Sequence, residues 1–216
     1  MREQLDYNIK ELDALLLKMS SQVEEIIELS IKALMEQDLD LANRIIRLDN
    51  KIDNMEISIE KKSLELIALQ NPIAGDLRRV SAILKIITDL ERIGDHCVNI
   101  AKVVIDIGKK PFIKPLIDIP KMAEIVRKMV NESIDSFVQA NSQLAIEVAK
   151  RDDEVDALYE TIYLDLLEFM RKDDVEEVDQ IVNLLFIGRY LERIADHTTN
   201  ICERIIYMST GERMNF

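Results

Sequence analysis

The chain has 216 residues and a formal net charge of -13, with 41 acidic and 28 basic residues. This length supports one ordinary domain or two small ones with a real hydrophobic core, since 48% of the residues are hydrophobic. With only 5 Gly and 4 Pro, the composition argues against a many-turned β protein and is typical of long amphipathic helices. The acidic balance argues against non-specific nucleic-acid binding, because the phosphates would be repelled.

No segment predicts a membrane span or a secretion signal. The longest run without a charged residue, Ser136–Ile146, is shorter than the about 18 apolar residues that a span needs. Cys97 and Cys202 form no CxxC pair. With no sign of export, we expect reduced thiols and a cytoplasmic location.

Three long helices are predicted in the first half of the chain. Apolar residues recur at helical spacing over about 5–35. Asp38 can cap a second helix that runs to about residue 69, where Asn71 and Pro72 end it. A third helix is expected over about 73–107.

The second half repeats this plan after a linker marked by Gly108 and three prolines. Helices are predicted near 120–140, 142–171 and 174–209, with Gly211 as the final stop. The expected turns are Asn141–Ser142 and Asp173–Asp174, the latter with a capping box completed by Glu176 or Glu177. The predicted organisation is a first domain over 1–108, a linker over 109–119 and a second domain over 120–216.

An internal duplication supports this organisation. Leu90–His96 and Leu191–His197 share six of seven residues, and Asp49–Asp53 matches Asp152–Asp156 upstream. The chain is therefore predicted to contain two copies of a unit of about 100 residues. Long helices joined by short turns pack antiparallel, so the predicted fold is all-α, with two tandem three-helix bundles.

Paired acids recur at matching places in both units. A helical wheel puts Glu91 and Asp95 at the edge of the buried face of their helix, and Asp49 and Asp53 at the edge of theirs. Each unit thus offers two E/DxxxD pairs on faces that could meet. The eight candidate ligands are Asp49, Asp53, Glu91, Asp95, Asp152, Asp156, Glu192 and Asp196.

Carboxylates crowded near an apolar interface repel one another unless a cation lies between them. Oxygen ligands suit ferric iron, manganese, magnesium or calcium, with zinc as a further candidate. The alternative is that these acids are solvated or are retained for packing by common descent of the two units. From the residues alone, a metal site and this alternative are equally supported.

Six residues beside the paired acids have other expected roles. His96 and His197 point away from the acids on the wheel and are expected to be structural or to face a partner. Asn99 and Asn200 lie one turn beyond the acids and could donate to the site from a second shell. Arg92 and Arg193 are expected to point away from the acids' face and to pair with neighbouring acids or with a partner.

The motifs resemble the signature segments of the PhoU family over essentially the whole chain. The segments that carry the resemblance are Pro72–Arg78, Leu84–His96, Arg189–His197 and Ile206–Glu212. The resemblance implies a non-enzymatic, often dimeric regulator of bacterial phosphate uptake, acting as a negative regulator of the phosphate regulon. Its implied partners are the ATP-binding subunit of the phosphate ABC transporter and a membrane sensor histidine kinase, so it could lie at the inner face of the membrane.

The resemblance also bears on the paired acids. Some PhoU proteins carry multinuclear iron or zinc clusters on E/DxxxD pairs, and this chain keeps all four pairs. Iron is therefore the first expected metal, with zinc, manganese or magnesium as alternatives.

Two rival functions remain open in the sequence. A carboxylate-bridged di-iron enzyme would usually have an ExxH motif, whereas Gly94 and Ala195 stand three residues after Glu91 and Glu192. A purely structural helical protein without metal is the third alternative.

Overall fold

The computed structural model describes residues 2–171 and 178–216, which form seven α-helices and no strand. The helices are α1 (Arg2–Glu36), α2 (Leu39–Gln70), α3 (Ala74–Ile107), α4 (Asp118–Gln139), α5 (Ser142–Ala149), α6 (Asp152–Met170) and α7 (Val178–Thr210). The predicted turn at Asp173–Asp174, its capping residues Glu176 and Glu177, and the predicted start of the last helix lie outside the described residues.

The helix ends in the first half confirm the predicted boundaries. The carboxylate of Asp38 accepts a hydrogen bond of 2.9 Å from the backbone N–H of Leu41, which caps α2. At the other end Asn71 adopts a left-handed conformation with φ of 46°. Pro72 follows and cannot continue the ladder of hydrogen bonds.

The main difference from the prediction lies in the second half, where the helix expected over 142–171 is two helices. Asn141 lies at the expected turn and caps α5. The chain then makes a tight turn at Lys150 and Arg151, where Arg151 N–H bonds to Val148 O at 3.0 Å. Three acids open α6 and favour a new helix N-terminus there. Asp152, a candidate ligand, is consequently the first residue of α6 rather than a residue in mid-helix.

The start of α4 also differs by two residues from the predicted residue 120. The helix begins at Asp118, and Pro120 lies in its first turn. Proline is tolerated there because the N–H groups of the first turn have no partner within the helix. The residue limits proposed for the two domains and their linker remain a prediction.

The core is formed by helix packing within each repeat and between the two repeats. Helices α1, α2 and α3 pack against one another, α4 packs with α5, α6 and α7, and the two units join chiefly along α3 and α7. The interior is filled by aliphatic side chains such as Leu16, Ile83 and Ile187, which are fully buried. The tandem all-α repeat is therefore confirmed, with the middle helix of its second copy split. No helix in the described ranges has the length and apolarity needed to cross a membrane.

Candidate metal centre

The candidate acids of the first repeat face one another across two packed helices. Asp49 and Asp53 lie on α2, Glu91 and Asp95 lie on α3, and all four are half-buried. Gly94 on α3 faces Asp49, and its missing side chain lets α2 come close. The helical-wheel placement at the edge of the buried face therefore agrees with the structure.

Burial and mutual repulsion disturb the titration of these acids. Burial, and then the charges of Asp53 and Asp95, raise the pKa of Asp49 to about 6. Burial and the charge of Asp95 raise the pKa of Glu91 to about 7. These shifts show that carboxylates from both helices share one electrostatic environment.

The second repeat has the same arrangement. Burial, followed by the charges of Asp156, Asp196 and Glu192, raises the pKa of Asp152 to about 7. Burial also raises the pKa values of Glu192 and Asp156, with Asp196 adding to both. Asp156 itself is exposed, unlike its counterpart Asp53.

One carboxylate oxygen on each helix is buried without a hydrogen bond, and it is the same atom in both repeats. The four atoms are Asp49 Oδ1, Glu91 Oε2, Asp152 Oδ1 and Glu192 Oε2. A buried oxygen that accepts no hydrogen bond is costly. It recurs at duplicated positions in the two repeats, and a bound cation at each group would remove this cost.

Arg92 and Arg193 pair with neighbouring acids, as expected, but these acids are the candidate ligands, so the prediction that both arginines point away from the acids' face is wrong. Arg92 lies 2.9 Å from Asp95 and 3.3 Å from Glu91, and Arg193 lies 3.5 Å from Asp196. Arg189 pairs with Glu192. The wheel gave the direction of each Cα–Cβ bond, but a long, half-exposed arginine side chain can bend along its own helix to reach an acid three residues away.

The side chains stand near one another without converging. Within the described ranges, no group of three or more His, Cys, Asp or Glu side chains is arranged to hold a metal ion. The donor set nevertheless fits a hard cation, because it consists of carboxylate oxygens, four of them buried and without a hydrogen bond. The structure thus brings the predicted residues into two groups, and the metal itself stays a prediction.

Glu56 is a further acid beside the first group, and it has no acidic counterpart in the second repeat. Its charge helps to raise the pKa of Glu91, and its carboxylate accepts a 3.0 Å hydrogen bond from Thr88. The second repeat has Tyr159 at the equivalent place, where its ring lies against Gly188. The signal in the sequence was the spacing of three residues from Asp53, which keeps Glu56 on the same helical face.

The histidines lie in the contact between the two repeats. The rings of His96 and His197 are 5.5 Å apart, and Nδ1 of His197 is 2.9 Å from Oδ1 of Asp89. Burial lowers the pKa of His96 to about 4, so this ring is neutral at pH 7. Asn200 donates to Asp89 at 3.4 Å rather than to a candidate ligand.

The side chain of Asn99 forms no hydrogen bond with any described residue. Neither asparagine is therefore brought to the acids in this conformation, and their second-shell role stays a prediction.

A family model described as the PhoU domain matches the chain twice, over residues 16–104 and 119–205. The two matches coincide with the two structural repeats.

Proteins of similar sequence match this chain over almost its whole length. A phosphate-specific transport system accessory protein PhoU homolog from Clostridium acetobutylicum is 42% identical over 99% of this chain and 98% of its own length. A homolog of the same description from Aquifex aeolicus is 40% identical over 91% of this chain and 88% of its own length.

Solved structures share the fold at high similarity. The crystal structure of the phosphate transport system regulatory protein PhoU from Streptococcus pneumoniae has a TM-score of 0.92 and 30% identity, covering 98% of this chain and all of that one. PhoU from Pseudomonas aeruginosa has a TM-score of 0.90 and 32% identity, covering 96% of this chain and 99% of that one.

Proposed function

Because this chain belongs to the PhoU family, we propose that it is an adaptor that reports the state of a phosphate transporter to a sensor histidine kinase. The observation that carries the proposal is 42% identity over 99% of the chain to an accessory protein of phosphate-specific transport. In this role the chain binds the ATP-binding subunit of the transporter and holds the kinase in the state that represses the phosphate regulon. It acts as a negative regulator.

The proposed role also sets the location and the assembly. The ATP-binding subunit of a transporter and the catalytic part of a membrane kinase both lie in the cytoplasm. The adaptor therefore acts there, at the inner face of the membrane through its partners. Its proposed assembly is a homodimer, as the resemblance to the PhoU family implies. It performs no catalysis of its own, and the comparisons give the di-iron enzyme alternative no support.

Capture of membrane partners tests the adaptor role. We expect the full chain, tagged and expressed in its source bacterium, to recover the transporter's ATP-binding subunit and a sensor kinase, in amounts that change between high and low phosphate. Deletion of the gene should raise the expression of a phosphate-repressed reporter at high phosphate. Recovery of neither partner, with unchanged reporter expression, would overturn the role.

Metal binding is the second part of the proposal. Each repeat would hold a cation cluster on its four acids, with iron first and zinc, manganese or magnesium as alternatives. Bound cations would supply the positive charge that neutralises the buried carboxylates and would hold α2 against α3, and α6 against α7. The matched buried oxygens without hydrogen bonds support this assignment.

Elemental analysis separates this assignment from a metal-free structural protein. We expect Glu91→Gln with Asp95→Asn to lose the metal of the first repeat, about half of the total. The matched control, Glu60→Gln with Glu65→Gln, removes two exposed acids from α2 and should lose none. Equal metal content in the wild type and the Glu91/Asp95 variant would show that these residues are not ligands.

A further inference from the structure

A polar cavity of about 250 Å³ lies away from both groups of acids, where the segment after α7 folds back on α3 and α7. Its polar lining comes from Ser81 and Lys85 on α3, Glu203, Arg204 and Tyr207 on α7, and Arg213 beyond α7.

The segment after α7 forms one wall of this cavity. Gly211, with φ of 81°, turns the chain at the end of α7. The backbone N–H of Phe216 then donates a 3.2 Å hydrogen bond to Glu203. The segment is thus fixed at both ends, and Arg213 is carried to the cavity between them.

The cavity gathers positive charge that the protein does not neutralise. Lys85, Arg204 and Arg213 form no ion pair or side-chain hydrogen bond with any residue in the described ranges. The Nε atom of Arg204 is buried with no acceptor among them. Glu203 supplies the single carboxylate of the lining, so the balance there is positive in a chain whose net charge is -13.

Three uncompensated cations around one cavity point to an anionic ligand. Arginine presents a fork of donors that matches the oxygens of a phosphate group, and the hydroxyls of Ser81 and Tyr207 add two more donors. A water molecule takes up about 30 Å³ in the liquid. The cavity therefore has room for a tetrahedral oxyanion with several waters.

We propose that this cavity binds a phosphate group, either free inorganic phosphate or the terminal phosphate of a nucleotide. Arg204 supplies the buried contact, while Lys85 and Arg213 close over the anion from α3 and from the segment after α7. The inference depends on the charges of the cavity and does not rest on the adaptor role or on metal binding.

Calorimetric titration of the full chain with inorganic phosphate, and separately with ADP, tests the proposal. Small ligands gain at most about 1.5 kcal/mol per heavy atom, so we expect a Kd for phosphate between about 10 μM and 1 mM. Arg204→Gln and Arg213→Gln should each weaken binding by about tenfold, since each removes a charge-assisted hydrogen bond. The arm that binds identifies the source of the phosphate group.

Two controls keep the result specific. Lys18→Gln removes an exposed, unpaired cation from α1 and should leave the Kd within about twofold. Asp49→Asn with Asp152→Asn should also leave it unchanged, which separates this cavity from phosphate bound through a metal. Arg213 is exposed and lies outside every helix, so we expect its variant to keep the wild-type Tm, which separates loss of binding from unfolding of the bundle. Absence of binding to both probes at 10 mM, or binding that the two arginine variants do not weaken, would overturn the proposal.

Discussion

Oxygen Oδ1 of Asp49 lies 2.6 Å from the point that a Cβ atom on Gly94 would occupy. The candidate ligand on α2 therefore rests directly on the backbone of α3. In the second repeat Ala195 stands at the position of Gly94 and is fully buried. The two repeats thus differ in how closely the acid can approach the facing helix.

We expect two substitutions at Gly94 to differ in how much they change the free energy of unfolding. Gly94→Ala should change the free energy of unfolding by less than about 1 kcal/mol, because Asp49 can rotate and alanine favours the helix by about that amount. Gly94→Val should cost at least about 2 kcal/mol, since its extra methyl groups meet Ile52, already 3.3 Å from the Cβ position. Urea denaturation measures both.

The converse substitution, Ala195→Gly, is the matched control. It should destabilise the chain by about 2 kcal/mol, through lost helix propensity and the loss of a buried methyl group. A cost of more than about 2 kcal/mol for Gly94→Ala would contradict the small effect expected there.

The raised carboxyl pKa values predict a pH dependence for the metal-free protein. Glu91 and Asp152 titrate at about 7 in the folded chain, whereas unfolded carboxyls titrate near 4. Between these values the folded state binds more protons, so stability falls as the pH rises through about 7. We expect the Tm of chelator-treated protein to drop by at least about 2 °C between pH 6.5 and 8.

Neutral isosteres check the origin of this drop. Glu91→Gln with Asp152→Asn should flatten the Tm profile over the same pH range, because neither side chain can then lose a proton. The range from pH 6.5 to 8 lies above the pKa of His96 in the folded chain and at or above the pKa of an unfolded histidine. A double variant as steep as the wild type would show that other groups cause the drop.

The contact between Asp89 and His197 should couple the two repeats. Nδ1 of His197 lies 2.9 Å from Oδ1 of Asp89, in the contact between α3 and α7. We expect Asp89→Ala and His197→Ala each to cost about 1 kcal/mol, with an interaction energy of at least about 0.5 kcal/mol in the double-mutant cycle. Strictly additive costs would show that the pair contributes nothing.

Arg79 should be intolerant of lysine. Its guanidinium forms two parallel hydrogen bonds of about 3 Å with Asp13 on α1 and lies 4.5 Å from the ring centre of Phe137 on α4. Lysine keeps the charge but cannot reproduce the fork or its stacking on the ring. We expect Arg79→Lys to cost about 1–2 kcal/mol by chemical denaturation.

An exposed arginine provides the comparison for Arg79. Arg127 pairs with Glu124 three residues earlier on its own helix. Arg127→Lys should cost less than about 0.5 kcal/mol, since exposed ion pairs contribute little. Arg127 also donates to both carboxylate oxygens of Glu124, so equal costs at the two positions would mean that the burial and the ring contact of Arg79 add nothing.

Local patterns in the sequence were enough to predict most of the helices and the internal duplication. The cap at Asp38 and the stop at Asn71 use groups close together in the chain, so their chemistry is readable from spacing. A single helix was predicted over 142–171 because the apolar spacing is continuous there, although three acids open α6. The break at Arg151 was therefore not predicted. Those acids were the available signal of a new helix start.

The placement of the paired acids at the edge of a buried face also followed from the sequence, since helical periodicity fixes which residues share a face. Only the tertiary structure decided which oxygens are buried without a hydrogen bond, that Arg92 and Arg193 turn back onto the acids, and that Lys85, Arg204 and Arg213 meet around one cavity. These features depend on how separate helices pack and how long side chains bend. Spacing along a single helix does not contain that information, because it sets the direction of each Cα–Cβ bond and nothing beyond it.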